Sequence, residues 1–371
     1  MKVLLTGAHG FLGWHTRARL RAIGSHEITA VGRHDWGELN REMRGVDAVV
    51  HVAGVNRGSD AEIEAGNVAL ARDLAAAVRD AGSVRRIVFA NSIQHGNGTP
   101  YGRGKSVASD LLAAAAGDLG ADYVDVRLPN LFGEHGRPHY NSFVATFADA
   151  AVRGATPTIA DRPVHLLHAQ QAAQTLIDAL TTTANRLDPA GTPTGVRDVW
   201  DILREFQDIY AASDVPPLDT DLHLDLFNTL RAARFPADHP LKPTPRVDHR
   251  GRLVEVVRAH GGQGQTFVST TRPGITRGEH FHLRKVERFV VLSGRARISL
   301  RRLFSEEVVS FDVTGGDPSV VDMPTMWAHN ITNTGSDELT TLFWTQELFD
   351  PAAPDTYPEP VGDAAREAVS A

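Results

Sequence analysis

Met1-Lys2-Val3-Leu4-Leu5-Thr6-Gly7-Ala8-His9-Gly10-Phe11-Leu12-Gly13 is a short apolar run that breaks into regularly spaced glycines. Residues 3–5 have the composition of a strand, and residues 11–23 have the periodicity of a helix. A strand that turns through glycine into a helix is a cradle for a pyrophosphate. Glycine lets the backbone approach closely, and the free N–H groups of the helix start attract the anion. Gly7, Gly10 and Gly13, with His9, Phe11 and Leu12 between them, are therefore candidate cofactor contacts. Their GxxGxxG spacing departs from the GxGxxG dinucleotide fingerprint, so the motif alone also suits a turn that packs a helix.

The same texture continues outward. Predicted strands at 27–31, 48–52, 86–90 and 123–127 alternate with predicted helices at 68–81 and 105–119. Such alternation implies a Rossmann-type, doubly wound parallel sheet. The second strand ends at Val31-Gly32-Arg33-His34. A cation stands where an NAD site usually has an acid for the ribose diol, and Arg33 suits the 2′-phosphate of NADPH.

Tyr101-Gly-Arg-Gly-Lys105 places a phenol and an ammonium one helical turn apart, on one face. Lys105 is expected to lower the phenol pKa and to hold the nicotinamide ribose, and Tyr101 to act as general acid for a carbonyl receiving hydride. Ser92, at the end of the preceding predicted strand, offers a hydrogen bond to the developing alkoxide.

Prolines at 236, 240, 243 and 245 predict a stiff, extended linker. The expected domains are 1–240 and 246–371. Beyond Arg246, short strands are predicted at 253–258, 265–271, 288–292, 296–300, 306–313, 319–323 and 340–345 with no long helix between them. That pattern implies an antiparallel sandwich or barrel. Within it lies Gly274-(x)5-His280-Phe-His282-(x)4-Glu287-(x)6-Gly294, followed by Pro324-Thr-Met326-Trp-Ala-His329. HxH on a strand points both imidazoles to one face. With Glu287 and His329 they form a candidate site for one divalent metal, zinc favoured, with iron, manganese and nickel open.

Composition bounds the rest. The 371 residues are 42% hydrophobic and 22% charged, with a formal net charge of −7. Two cores can be buried, and a nucleic-acid partner is disfavoured. The chain has no cysteine, so disulfides and thiolate metal sites are excluded. The opening apolar run is too short for a signal peptide, and no stretch approaches the roughly 18 apolar residues of a membrane helix. A cytoplasmic protein without membrane insertion is expected.

On these motifs, residues 1–240 resemble the extended short-chain dehydrogenase/reductase family. The resemblance implies that Ala53 and Gly54 line the cofactor after His51, that Pro129 borders the nicotinamide, and that Asn130, Asn141 and Ser142 meet the substrate. One departure is His168-Ala-Gln170-Gln171, where the family often has Tyr-Val-Asp-Asp; a packed or surface role for His168 is expected. Residues 274–333 resemble the two cupin motifs, departing at Met326, where glycine is usual. The domain order resembles a family of bifunctional enzymes of capsular polysaccharide synthesis. That implies a homodimer whose cupin domain epimerises C3 of a UDP-4-keto-6-deoxy-N-acetylhexosamine and whose reductase domain reduces C4 with NADPH. The product is then a UDP-2-acetamido-2,6-dideoxy-talose type. The C3 base stays unassigned among His249, Lys285 and Tyr357. Two other readings stay open: a single-step NADPH-dependent 4-keto-sugar reductase or NAD-dependent epimerase/dehydratase with a structural cupin, and a non-catalytic nucleotide- and metal-binding assembly protein.

Overall fold

The computed structural model describes residues 1–362, so the end of the expected 246–371 domain lies outside the described residues. Chain contacts divide it into two compact units. One comprises Met1–Phe132, His139–Ser142 and Arg162–Gly195; the other comprises Gly133–Pro138, Phe143–Asp161 and the chain from Val196 on.

The first unit is a six-stranded sheet in the order Glu27–Val31, Lys2–Thr6, Ala48–His51, Arg86–Ser92, Asp122–Leu128, Arg186–Leu187. Its pairings are all parallel. Side chains alternate between its faces, and both faces are apolar because helices cover both. Leu4, Val49, Ile87 and Phe89 pack with Leu74, Val78, Leu112 and Ala115 of the helices Asp60–Ala81 and Pro100–Leu119. Val3, Leu5, Val50, Val88 and Val126 pack on the other side with Leu12, Ala172 and Leu176. The first strand lies between the second and third, so the chain order reverses there, and ligands of such sheets bind beyond the strand ends at that reversal.

Two helices start earlier than the expected 68 and 105. Ser59 accepts from the Glu62 N–H while Glu62 reaches back to the Ser59 N–H, a reciprocal cap that starts the helix at Asp60. The Thr99 hydroxyl accepts from the Gly102 N–H at 3.0 Å, and Pro100 occupies the first turn, where its missing N–H costs nothing. Tyr101 and Lys105 are thereby both inside the helix.

The second unit holds two antiparallel sheets. One runs Gln265–Thr271, Leu339–Thr345, Glu287–Ser293, Val320–Met323; the other runs Val308–Thr314, Arg295–Arg302, Trp327–Asn333, Thr276–Phe281, Tyr357–Pro358. Phe289, Val291, Ile298, Leu300, Val321, Ile331 and Phe343 fill the core between them. Residues 253–258 were expected as a strand, but only Gly251–Leu253 is one, paired with Arg246–Asp248 in an exposed hairpin. The proline-rich stretch is no free spacer. Leu241 is buried and exchanges backbone hydrogen bonds with Val320 at 2.8 and 2.9 Å, and Phe235 sits in the sheet core. The helix Val196–Ala211 belongs to this unit too: the Tyr210 hydroxyl donates to Asp322, which also takes both arms of the buried Arg288 at 2.7 and 2.9 Å.

Candidate functional site

The first constellation lies at the C-terminal ends of the parallel strands. Gly7 has φ +67°, a left-handed conformation, and a Cβ there would come within 2.6 Å of the Ala53 N. A Cβ on Gly13 would come within 2.1 Å of the Gly7 O, so the helix can start this close to the strand only with glycine. His9, Gly10 and Phe11 lie outermost on this turn, with Leu12 buried beneath. The Thr6 hydroxyl meets His51 Nδ1 at 2.7 Å and accepts from the Ala53 N–H at 3.3 Å, which fixes the start of the Ala53-Gly54 loop. Asn67 closes that loop by accepting from the Val55 N–H and donating to the Val55 carbonyl.

At the end of the second strand, Arg33 is exposed. An acid is nevertheless close by: the Asp35 carboxylate accepts from the Gly32 N–H at 3.0 Å and lies 3.9 Å from His9 Nε2.

Lys105 is buried. Its ammonium donates to the Ala90 carbonyl at 2.8 Å, 4.5 Å from the centre of the Phe89 ring and 5.8 Å from that of Tyr101. Ser92, two residues on from Ala90, is buried and accepts from the Gln94 N–H at 3.2 Å. Burial pulls the Lys105 ammonium down to about 8, with Asp125 opposing. Burial pushes the Tyr101 phenol up to about 12. The lowering of the phenol by Lys105 that the spacing implies is therefore not seen; loss of solvent dominates. Tyr101 is held as the protonated acid. Burial and Lys105 together pull His51 down to about 3, so its ring is neutral.

The expected substrate residues sit on the same unit. Asn141 accepts from Arg57 at 3.2 Å, and Arg57 also donates to the His139 carbonyl, tying this loop to the one after Gly54. Asn130, in the strand Asn130–Phe132 just after Pro129, donates to the His165 carbonyl at 3.3 Å. Ser142 follows Asn141 at the start of the helix Phe143–Val152. His168 is buried and caps the helix Ala169–Asp178, the packed role expected of it. Asp125 was missed by sequence reading. It accepts from Asn91 at 2.7 Å and from Arg127, and it supports the charge on Lys105.

The second constellation is in the antiparallel sheets. One ligand atom from each of His280, His282, Glu287 and His329 lies within 4.8 Å of the others. His282 Nε2 and His329 Nε2 approach the same Glu287 oxygen at 3.0 and 3.2 Å. Their other nitrogens point to backbone carbonyls, His282 Nδ1 to Asp355 and His329 Nδ1 to Trp327. Carbonyls only accept, so each Nδ1 carries the proton and each Nε2 faces the cluster. Burial pulls His280 down to about 3, aided by the neighbouring imidazoles. Burial works against charge on Glu287 and His282, yet their attraction holds the carboxyl well below its ordinary value and the imidazole above its own. Met326, the departure from the usual glycine, is buried at φ +61°, which explains the glycine preference there.

No helix among the described residues is long and apolar enough to cross a membrane. Residues 3–185 match the NAD dependent epimerase/dehydratase family, and residues 246–357 match the polysaccharide biosynthesis C-terminal domain. The chain is 32% identical over 377 residues to the UDP-2-acetamido-2,6-beta-L-arabino-hexul-4-ose reductase of Pseudomonas aeruginosa strain PA103, covering 98% of this chain and 100% of that protein. Among solved structures, the capsular polysaccharide assembling protein CapF from Staphylococcus aureus is 31% identical, with a TM-score of 0.64 over 97% of this chain and 100% of that one. A UDP-glucose 4-epimerase from Thermotoga maritima shares the fold at 16% identity, with a TM-score of 0.55 over 63% of this chain and 99% of its own. By its end-to-end likeness, the chain belongs to the family of CapF and the Pseudomonas UDP-sugar reductase.

Proposed function

We propose that the chain is a bifunctional UDP-sugar enzyme. Its C-terminal part, read as a cupin, epimerises C3 of a UDP-4-keto-6-deoxy-N-acetylhexosamine. Its N-terminal part then reduces C4 with NADPH, giving a UDP-2-acetamido-2,6-dideoxy-talose-type product for a surface polysaccharide. We read it as a cytoplasmic homodimer.

The observation that carries the reductase half is the protonated Tyr101 phenol beside the buried Lys105 ammonium, on one helix at the strand ends. The glycine turn, where a Cβ at Gly7 or Gly13 would collide with the backbone of Ala53 or Gly7, brings the helix N-terminus close to the strand end and fits a dinucleotide. NADPH, when bound there, supplies the hydride. Tyr101 gives its proton to the C4 oxygen as the carbonyl carbon gains that hydride. Ser92 hydrogen-bonds the same oxygen, and Lys105 stabilises the tyrosinate left behind while orienting the ribose.

The epimerisation half follows from the substrate. A C4 ketone acidifies the C3 proton, so an enolate can form and be reprotonated on its other face. His280, His282, Glu287 and His329 fit a divalent ion, zinc by preference, because three imidazoles and a carboxylate converge with their tautomers already set. Such an ion, when bound, supplies positive charge near a developing oxyanion. Reduction then removes the ketone and locks the new stereochemistry.

The test is to incubate the protein with the UDP-4-keto sugar in deuterated water. Deuterium should enter C3 before any NADPH is added, and NADPH absorbance should fall on its addition. Stripping the metal should stop the exchange yet leave reduction of an already epimerised sugar. Exchange that survives complete metal removal would sink the metal's part in this scheme.

A further inference from the structure

Residues 354–361 lie along the strand Thr276–Phe281, which carries His280 and ends just before His282. Tyr357–Pro358 pairs with it in the register His280↔Pro358 and Phe281↔Tyr357. The Glu359 N–H donates to the Glu279 carbonyl at 2.9 Å, and the Val361 N–H to the Glu279 carboxylate at 2.7 Å. The far end of this strap is fastened by the buried Arg301, which donates to the Val361 and Pro360 carbonyls and to Glu359 at 2.8 Å.

At the near end, the Asp355 carboxylate accepts the backbone N–H groups of Leu283, Arg284 and Lys285 at 3.0, 2.9 and 2.8 Å. Those residues form the turn between two of the proposed metal ligands, His282 and Glu287. The same residue's carbonyl accepts from His282 Nδ1 at 2.5 Å. Asp355 has φ +42°, a left-handed conformation that aspartate and asparagine tolerate better than most residues. The Lys285 ammonium is drawn to the Pro354 carbonyl at 2.6 Å, which holds the turn from its other side.

We propose that Asp355 is a positioning residue for the metal: it fixes both the His282–Glu287 turn and the His282 tautomer that turns Nε2 toward the ion. This rests on the metal reading above. Outer partners of this kind matter because a ligating imidazole must present a lone pair in one direction, and the hydrogen bond on its other nitrogen decides which one.

Full-length protein loaded with zinc is titrated against a competing chromophoric chelator, beside Asp355→Asn, Asp355→Ala and Glu359→Gln. Asp355→Ala should weaken zinc binding by roughly 10–100-fold, the range seen for outer partners of metal ligands. Asp355→Asn, which keeps shape and left-handed tolerance but loses charge, should fall between it and the unsubstituted chain. It also covers the case in which Asp355→Ala does not fold. Glu359→Gln loosens the strap at Arg301, so it should lower the melting temperature and leave zinc affinity unchanged. Unaltered zinc affinity in both Asp355 variants overturns the proposal. Equal weakening in Glu359→Gln overturns it too, because the strap would then be a general brace. If the unsubstituted chain holds no zinc, the metal reading fails and the proposal with it.

Discussion

Lys105 and Glu287 are both buried ionisable groups at a candidate site, but they are held in different ways. Lys105 leans on a backbone carbonyl and an aromatic face, and burial weakens its charge. Glu287 sits between His282 and His329, whose Nε2 atoms approach one of its oxygens, and their attraction overcomes burial. Each region is thereby poised for a different task. Around Lys105 and Tyr101, loss of solvent leaves a protonated phenol and an ammonium that titrates near neutrality, a setting for proton transfer. Around Glu287, donors already converge before any ion arrives, a setting for binding. The first should respond to single-residue chemistry and to pH, the second to anything that disturbs convergence.

The largest effect expected follows directly. Tyr101→Phe removes one hydroxyl from the N-terminal region and should slow NADPH consumption by about 10²–10⁴-fold, the usual worth of a positioned general acid. Deuterium entry at C3 should continue at its original rate. A matching loss of exchange would break the separation between the two regions, since Tyr101 would then serve both steps.

The converse substitution comes next. Glu287→Gln deletes the charge shared by His282 and His329 and should weaken zinc binding by at least the roughly 10–100-fold expected for outer partners. NADPH oxidation with an already epimerised sugar should be unaffected. Loss of that activity would mean that the cluster, directly or through its unit, supports the reductase chemistry as well.

How much of this could be read from the chain alone depended on whether the cause was local. The parallel sheet was legible because each strand is apolar on both faces and each glycine of the first turn answers a nearby backbone atom. The four metal-ligand candidates were legible because HxH and its spaced Glu and His are sequence patterns that survive folding intact. The starts of two helices were missed, although Ser59–Glu62 and Thr99-Pro100 are capping signals, because their first turns are polar or glycine-rich. The strand expected over 253–258 leaves its ladder with Arg246–Asp248 after Leu253, and further on the Arg258 carbonyl accepts the Val215 N–H at 2.8 Å beside an isolated bridge. Alternation shows what a strand could bury and does not supply a neighbour. Strands Thr276–Phe281 and Trp327–Asn333 were left off the expected strand series because Gly278, at φ +104°, and the bulge beside it interrupt the alternation of the first. Asp355 carried no signal at all: it reaches Leu283 across 72 residues. Asp125 likewise meets Asn91 only because their strands are neighbours in the sheet.

The smallest effects concern pH, and they test whether burial sets the charge at Lys105. Its ammonium titrates at about 8 in the folded chain, below the ordinary 10.5. If the charged form holds the cofactor ribose, kcat/KM for NADPH should fall as pH rises through about 8, because that ratio reports the free enzyme. Stability runs the opposite way. Between 8 and 10.5 the unfolded chain keeps the lysine proton and the folded chain has lost it, so unfolding takes up a proton and raising the pH favours the folded state. Below that window the cost of burying the charge is constant. Other groups titrate there too, so the quantity to measure is the melting temperature of the protein minus that of Lys105→Met. That difference should be flat from pH 6 to about 7 and should then move in favour of the lysine-bearing chain up to about 10. A difference that stays flat throughout would mean that solvent or a counter-charge reaches Lys105. The contrast with Glu287, whose charge is maintained by partners, would then disappear.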